Sequence, residues 1–483
     1  MTVAAFAAYH ILPYMDEGTF SSAAYNLSHR GFMGTTVLET AGTGLTRLDQ
    51  HTYWVMPLYL VGQAIWMLVV TPSLFGVRLF SVAWIPVIVT ALYVFMKRIG
   101  WSTAASLLSA ALMALSFNVT DVAKNARPDM MCAALGWSAF AVFVSLREKS
   151  LLLAVCASNA LVVLSGLTHP NGILYFAGLW LLILWFDRSR LRWSHFAAAM
   201  GPYLLGAALW STYVLRDFPA FVDQMRANND HRFGAVSWST NNLSLPVQLI
   251  WGEIHDRYLV LFGVLSPIHL SWLKALALLT YVVALLIAVT TSLRKRREIQ
   301  LLVSLWLLFF GIQCVFNQKL GFYFVHIEPL YAALAGGVSV LLAARSRILT
   351  FTLPVWLSLI VGIQLASEVA KARTLSAVKS ENEVASFLAT RARSARLIMG
   401  SACLIHAMGY DPRYLDDRYL GVRSGKHSDV IILADHLDQD LYADLRKQKP
   451  ADWDAIRRRL DDYHLVSTLP GYEIYFASGF SGP

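Results

Sequence analysis

Charge is scarce in this chain. Of its 483 residues only 15% are Asp, Glu, Lys or Arg, while 56% are hydrophobic. Mean hydropathy is +0.50. A soluble globular protein is about one-quarter charged, so composition excludes one. Acid is scarcer than base: 31 Asp and Glu against 40 Lys and Arg leave a formal charge of +9. Cysteine is also sparse. Cys132, Cys156, Cys314 and Cys403 form no CxxC pair, and three of them lie in apolar runs, so neither a zinc knuckle nor a disulfide framework is indicated. No Walker loop, GxGxxG or redox-cofactor motif occurs, and no cofactor is expected. There is no internal repeat and no matched pair of Gly/Pro-broken spans, which counts against a transporter. The first residues lack the basic n-region of a cleavable signal.

Long apolar runs are abundant. They recur from the start to about residue 367, which makes this a polytopic helical membrane protein. Span candidates fall at roughly 77–96, 101–119, 130–146, 151–168, 171–186, 195–215, 271–291, 299–316, 323–343 and 348–366. The run at 2–15 is short for a span, so either neighbours complete it or its start is truncated. Basic residues cluster in five turns: Lys97-Arg98, Arg147/Lys149, Arg188/Arg190/Arg192, Arg294-Lys295-Arg296-Arg297 and Arg345/Arg347. An even number of spans separates each from the next, so all five share the cytoplasmic side. That clustering accounts for the positive charge without nucleic acid.

The loops 118–129, 168–171, 216–256 and 317–322, and the tail after 367, then lie outside. The side of Asp16 depends on the run 53–70. Only about five residues, with Pro72 and Gly76 but no basic turn, separate it from the next span. The expectation is that 53–70 lies in the surface or re-enters. That gives about eleven spans and puts Asp16 outside. Residues 1–367 are expected to form the catalytic membrane domain, with external loops 15–76 and 216–256. Residues 368–483 change composition. Strand-like runs at 397–400, 429–433, 464–469 and 473–476 alternate with helical ones at 381–393, 437–447 and 453–460, which reads as a small soluble α/β domain.

Several polar groups gather at the outer span ends. Asp16-Glu17-Gly18 precedes an amphipathic helix pattern over 19–30. Asp16 is either a helix cap with Glu17 in its first turn or a catalyst. Arg127-Pro128-Asp129 is either an interfacial ion pair that starts a helix or a functional group at membrane depth. His169 and Asn171 stand in a turn, where His169 could meet a phosphate. His231 and Arg232 lie in the long outer loop. Lys319, Tyr323, His326 and Glu328 close the set, and Glu328 inside an apolar run needs a partner or a job. His255-Asp256-Arg257 is a weaker cluster at a helix end. A carboxylate base, several cations and an opening to the bilayer suit transfer of a sugar from a lipid phosphate. The competing class is a lipid or solute transporter or flippase, for which the near-membrane ionisable residues are the supporting feature.

In order and spacing these pieces resemble the membrane glycosyltransferases of the GT-C superfamily. The layout is similar to the bacterial protein O-mannosyltransferase family and the lipid A aminoarabinose transferases. The similarity rests on Asp16-Glu17-Gly18, Pro57-Leu58-Tyr59 leading to Phe75-Gly76-Val77-Arg78, Arg127-Pro128-Asp129, Thr168-His169-Pro170, the segment 323–329 and the tail. It implies a polyprenyl-phosphate sugar donor, an unknown extracytoplasmic protein, lipid or glycan acceptor, and a bacterial inner-membrane location. It implies inverting transfer with Asp16 as base and Asp129 as a second acidic residue of the active site. Two acidic sites could hold a divalent ion, but the mannosyltransferase resemblance favours none. Val55-Met56 and His169 stand where aminoarabinose transferases carry lysine, which leaves the donor sugar open.

Overall fold

The computed structural model describes every residue except 42, 234–244, 267–270, 317, 374–376 and 481–483. Two short helices open the chain, α1 (Thr2–His10) and α2 (Met15–Arg30). After a loop comes α3 (Pro57–Met67), with proline at its first turn, where the missing N–H costs nothing. Its 11 residues reach about 16 Å, half the hydrocarbon thickness of a bilayer. The run at 53–70 therefore holds no helix long enough to cross by itself. It packs on α2 through Phe20, Tyr59 and Leu60.

The membrane helices follow: α4 (Leu74–Val82), α5 (Ile85–Arg98), α6 (Thr103–Ala114), α7 (Phe117–Ala123), α8 (Asp129–Leu146), α9 (Leu151–Thr168), α10 (Gly172–Asp187) and α11 (Trp193–Val214). Then come α12 (Phe218–Phe233), α13 (Leu245–Gly252), α14 (Ala275–Thr290), α15 (Arg297–Val315), α16 (Glu328–Ala343) and α17 (Arg347–Arg373). Ser73, Ser102, Ser116 and Ser150 each accept a first-turn N–H with the side-chain oxygen, at 3.1–3.3 Å, and so start α4, α6, α7 and α9.

Among the described residues, seven helices are long and apolar enough to cross a membrane, with α4 and α5 counted as one. The pair α6–α7, bent by 52°, makes an eighth. The expected eleven would also need α1, α11 and α16. With 9 and 16 residues, α1 and α16 are short, and α11 is long but diluted by Gly, Pro, Ser and Thr. The protein is a multi-pass membrane protein, but the eleven-span count is not reached on length and composition.

The two ends of the bundle differ. At one end the basic turns meet: Asp187 takes Arg147 at 3.0 Å and Arg190 at 2.8 Å, Arg297 donates to the Trp185 carbonyl, and Arg296 lies over the Trp101 ring. The other end carries α2, α3 and the tail.

The tail holds α18 (Ala377–Arg391), β1 (Ile398–Gly400), β2 (Tyr414–Leu415), β3 (Val430–Ala434), α19 (Asp435–Gln448), α20 (Pro450–Leu460), β4 (Tyr463–Leu469) and β5 (Tyr472–Ala477). Its sheet has the order β2-β1-β3-β5-β4. The first three strands are parallel, and β5 is antiparallel to both β3 and β4.

The tail does not stand apart. One hydrophobic cluster joins Ala24, Val37, Ala64, Met67 and Val77 to Leu388, Ile398, Ala402, Val430 and Ile474. Ser21 Oγ meets His406 Nε2 at 2.9 Å, Tyr25 stacks on Tyr410 at 4.0 Å, and Asp416 exchanges backbone bonds with Val37 and Glu39 at 2.6 and 2.8 Å. A Cβ on Gly18 would lie 1.9 Å from the Ala402 carbonyl oxygen, so only glycine admits this approach.

Candidate active site

A cavity of about 530 Å³ opens where α2, the residues after it, the outer span ends and the tail converge. Asp16 and Arg127 lie on its wall with His169, Tyr323 and Trp54. Asp16 sits in the first turn of α2, and Asp129 opens α8.

One guanidinium joins the two acids. Arg127 pairs with Asp16 and donates from Nε to Asp129 Oδ2 at 3.0 Å. Its plane covers the Phe322 ring at 4.4 Å, a cation–π contact strengthened by desolvation. Asp16 keeps 26% of its side chain exposed, against 4% for Arg127 and 0% for Asp129. Asp16 is therefore the acid that reaches into the cavity, while Asp129 holds the arginine from behind. Asp129 Oδ1 accepts no hydrogen bond among the described residues and faces His169 Nε2 at 4.0 Å.

Glu17 points away from the cavity. It accepts Arg78 Nε and Nη2 at 2.7 Å each, the Ala126 N–H at 2.8 Å and the Tyr14 N–H at 2.8 Å. Arg78 in turn donates to the carbonyls of Ala8, Ile11 and Leu12. Both side chains are fully buried. Burial pushes the Glu17 carboxyl up, but Arg78 and the two N–H groups together hold it below the usual carboxylate range. Such a pair is costly to break. Because Glu17 binds Ala126, one residue before Arg127, it ties the segment bearing Arg127 and Asp129 to the helix bearing Asp16. Glu17 is a positioning residue.

The other expected residues divide. His169 Nδ1 accepts the Asn171 N–H at 3.1 Å, which leaves the proton on Nε2, aimed at Asp129. Tyr323 lines the cavity with its ring 5.3 Å from that of His169. Asn171 and His326 are buried behind the wall, His326 with Nδ1 on the Tyr175 hydroxyl at 2.9 Å. Lys319 lies beside the cavity in a separate cluster. It meets Glu253 at 3.1 Å, the carbonyls of Gln313 and Cys314, and through Glu253 the buried Arg257.

Glu328 is elsewhere. It accepts from the Ser116 hydroxyl and from Asn118 Nδ2, the latter at 2.6 Å, and so secures the bend between α6 and α7. The side chains of His231 and Arg232 lie outside the described residues. Sequence reading missed two walls, Leu38 to Ala41 with Thr43 and Leu45, and Asp416 to Tyr419, which nothing local marks. It gave Arg78 no role, although an arginine in an apolar run signals a buried partner.

Two places invite a metal ion. Between Asp16 and Asp129 the guanidinium of Arg127 already holds the cation position, so these acids do not fit a bridging divalent ion. Cys132, His169 and His326 offer three buried donor atoms within 4.8 Å of one another. His169 spends the lone pair of Nδ1 on Asn171, so its Nε2 carries a proton rather than a free pair, and the triad lacks one imidazole ligand.

No protein-family model matches the sequence, and no curated protein sequence matches it. Solved structures do. ArnT from Cupriavidus metallidurans bound to undecaprenyl phosphate superposes with a TM-score of 0.62 at 12% identity, covering 100% of this chain and 97% of that one. The archaeal oligosaccharyltransferase AglB from Archaeoglobus fulgidus, in complex with an inhibitory peptide and a dolichol-phosphate, gives a TM-score of 0.53 at 11% identity, over 99% and 74%. The same archaeal enzyme with Zn and sulfate gives 0.54 at 10%, over 99% and 72%. The chain shares their fold. The likeness extends from α1 through the tail sheet.

Proposed function

We propose that this protein is a membrane glycosyltransferase that moves a sugar from a polyprenyl-phosphate donor to an extracytoplasmic acceptor with inversion. The observation that carries the reading is the single guanidinium shared by an exposed and a buried carboxylate at the wall of one cavity. The ligands named in two of these comparisons, undecaprenyl phosphate and dolichol-phosphate, support the donor class.

Asp16, paired with Arg127, accepts the proton of the acceptor hydroxyl or amine. The freed lone pair attacks the anomeric carbon of the donor. The bond from that carbon to the phosphate oxygen breaks on the opposite face, and the lipid phosphate leaves with the electron pair. Arg127 and the Nε2–H of His169 lie where the departing phosphate gathers charge. Asp129 takes no proton; it aims Arg127 and His169. No step runs through a metal.

The basic turns at the far end of the bundle argue that the cavity opens on the extracytoplasmic side of a bacterial inner membrane. We read residues 1–367 as the catalytic membrane part and 368–483 as its external partner.

The test is mass spectrometry of lipid-linked sugars and envelope glycans in cells lacking the gene, with wild-type or D16N copies restored. One polyprenyl-phosphate sugar is expected to accumulate, and one glycan to lose that sugar, equally in the deletion and in D16N. A D16N strain with wild-type glycans would remove Asp16 from the mechanism.

A further inference from the structure

The tail turns a particular edge toward the cavity. Strands β2, β1 and β3 run parallel, and open parallel sheets bind ligands outside the carboxyl ends of their strands. The carboxyl end of β2 runs straight into Asp416, Asp417, Arg418 and Tyr419, and all four line the cavity. The end of β1 runs into Ser401 and Ala402, against Gly18 of α2. The ligand edge of the sheet and the mouth of the catalytic cavity are therefore one crevice, with Leu38–Ala41, Thr43 and Leu45 forming its other wall.

Nearly every charge on this crevice is already spent. Glu39 meets Lys426 at 2.5 Å and accepts the N–H groups of Thr40 and Ala41. Asp416 accepts the Ala402 N–H at 2.7 Å. Asp417 accepts the N–H groups of Tyr419 and Gly421 and the Ser424 hydroxyl. Arg127 is shared by its two carboxylates. Arg418 differs. Its guanidinium rests on Met15 Sδ at 3.5 Å, a weak acceptor, and it makes no ion pair among the described residues. Met15 directly precedes Asp16, and the contacts at Gly18, Ser21 and Tyr25 fix the tail on the same helix. The guanidinium is thus held near the candidate base with its donors unspent.

We propose that the acceptor enters between Leu38–Ala41 and the Asp416–Tyr419 turn, and that Arg418 recognises an anionic group on it, a phosphate or a carboxylate. The proposal rests on the transferase reading above and adds to it the chemical class of the acceptor. The donor phosphate is a poorer candidate for Arg418, because its lipid chain ties it to the bilayer while Arg418 comes from the unit beyond the spans.

The experiment uses the purified full chain in lipid nanodiscs and a panel of radiolabelled undecaprenyl-phosphate hexoses and pentoses. The acceptor source is envelope extract from cells lacking the gene, split on an anion exchanger into retained and unretained material. Label is expected in the retained fraction. R418Q should raise the acceptor concentration for half-maximal rate about tenfold, the worth of one charged hydrogen bond. Its maximal rate and donor KM should be unchanged, and R418K should stay within about threefold of wild type. Arg418 is exposed, so these variants keep the fold.

Label in the unretained fraction, an unchanged acceptor requirement in R418Q, or a shift in donor KM alone would each overturn the proposal. D16N separates the two readings. It should be inactive at every acceptor concentration, so an active D16N refutes the base while leaving the Arg418 shift standing. If the wild type transfers nothing from any donor, the transferase reading fails and Arg418 loses its role with it.

Discussion

Arg127 carries the most consequence per atom. It is 96% buried by side chain and serves two carboxylates, so removing it strands Asp129 as an unpaired buried charge. R127A should cost about 3–5 kcal/mol of stability, read as a fall in Tm in detergent. Adding D129N to R127A should restore most of that stability and none of the transfer, because neutralising the acid repairs burial but supplies no cation for the leaving phosphate. E17Q should behave differently. It weakens the pair with Arg78 without touching substrate, so kcat should fall by about tenfold or more while donor KM moves little.

The carboxylates of this centre were visible in the sequence for a physical reason. An ionisable residue beside an apolar run is expensive unless it is used, so Asp16, Arg127 and Asp129 announce themselves. At Glu328 the same logic asked for a partner or a job, and a hydroxyl and an amide at a helix bend supply the partner. Glu17 is expensive in the same way, and Arg78 with two N–H groups meets that expense. Expense marks residues that have partners, and only geometry tells a structural partner from a substrate.

At the scale of elements, α2 is the part on which both halves of the molecule close. Gly18 faces the Ala402 carbonyl with no room for a methyl group. G18A should therefore push the tail off α2, cost several kcal/mol beyond ordinary overpacking of about 1–3, and expose the 391–397 region to protease while the spans stay intact. Limited proteolysis in nanodiscs reads this directly. The membrane helices were legible because a 3.6-residue stripe is not needed to see a run that is apolar all round. β2 was not, because Tyr414–Leu415 is two residues long and shows no alternation. The crevice between Leu38–Ala41 and the tail was hidden for another reason: its walls lie more than 370 positions apart, and nothing local records such a meeting.

The whole molecule has two electrical ends and one soluble flank. Chelation should leave transfer unchanged, since Arg127 occupies the place of a bridging ion; loss of activity in EDTA that returns with a divalent ion would contradict this. The joint between tail and bundle carries its own pH response. Burial holds His406 near 4, below its ordinary 6.5, so the folded protein keeps this imidazole neutral where the unfolded chain would charge it. The stability it contributes is complete above pH 6.5 and declines as pH falls from there toward 4. Tm should drop over that window, and H406Q should flatten the drop. The gathering of Arg147, Arg190, Arg296 and Arg297 at one end of the bundle agrees with what span parity expects of the basic turns.

The hydrophobic cluster that α2, α3 and α4 share with the tail has a bearing on how the protein is born. A polypeptide is synthesised from its amino end, so the helix carrying Asp16 leaves the ribosome before the tail does. Its apolar underside, with Ala24 and the neighbouring Ala64 and Val77, is covered by Ile398, Val430 and Ile474, which are made more than three hundred residues later. The underside of α2 waits bare for the tail. An interrupted copy would reach the membrane with its spans in place and its acid pair unbraced.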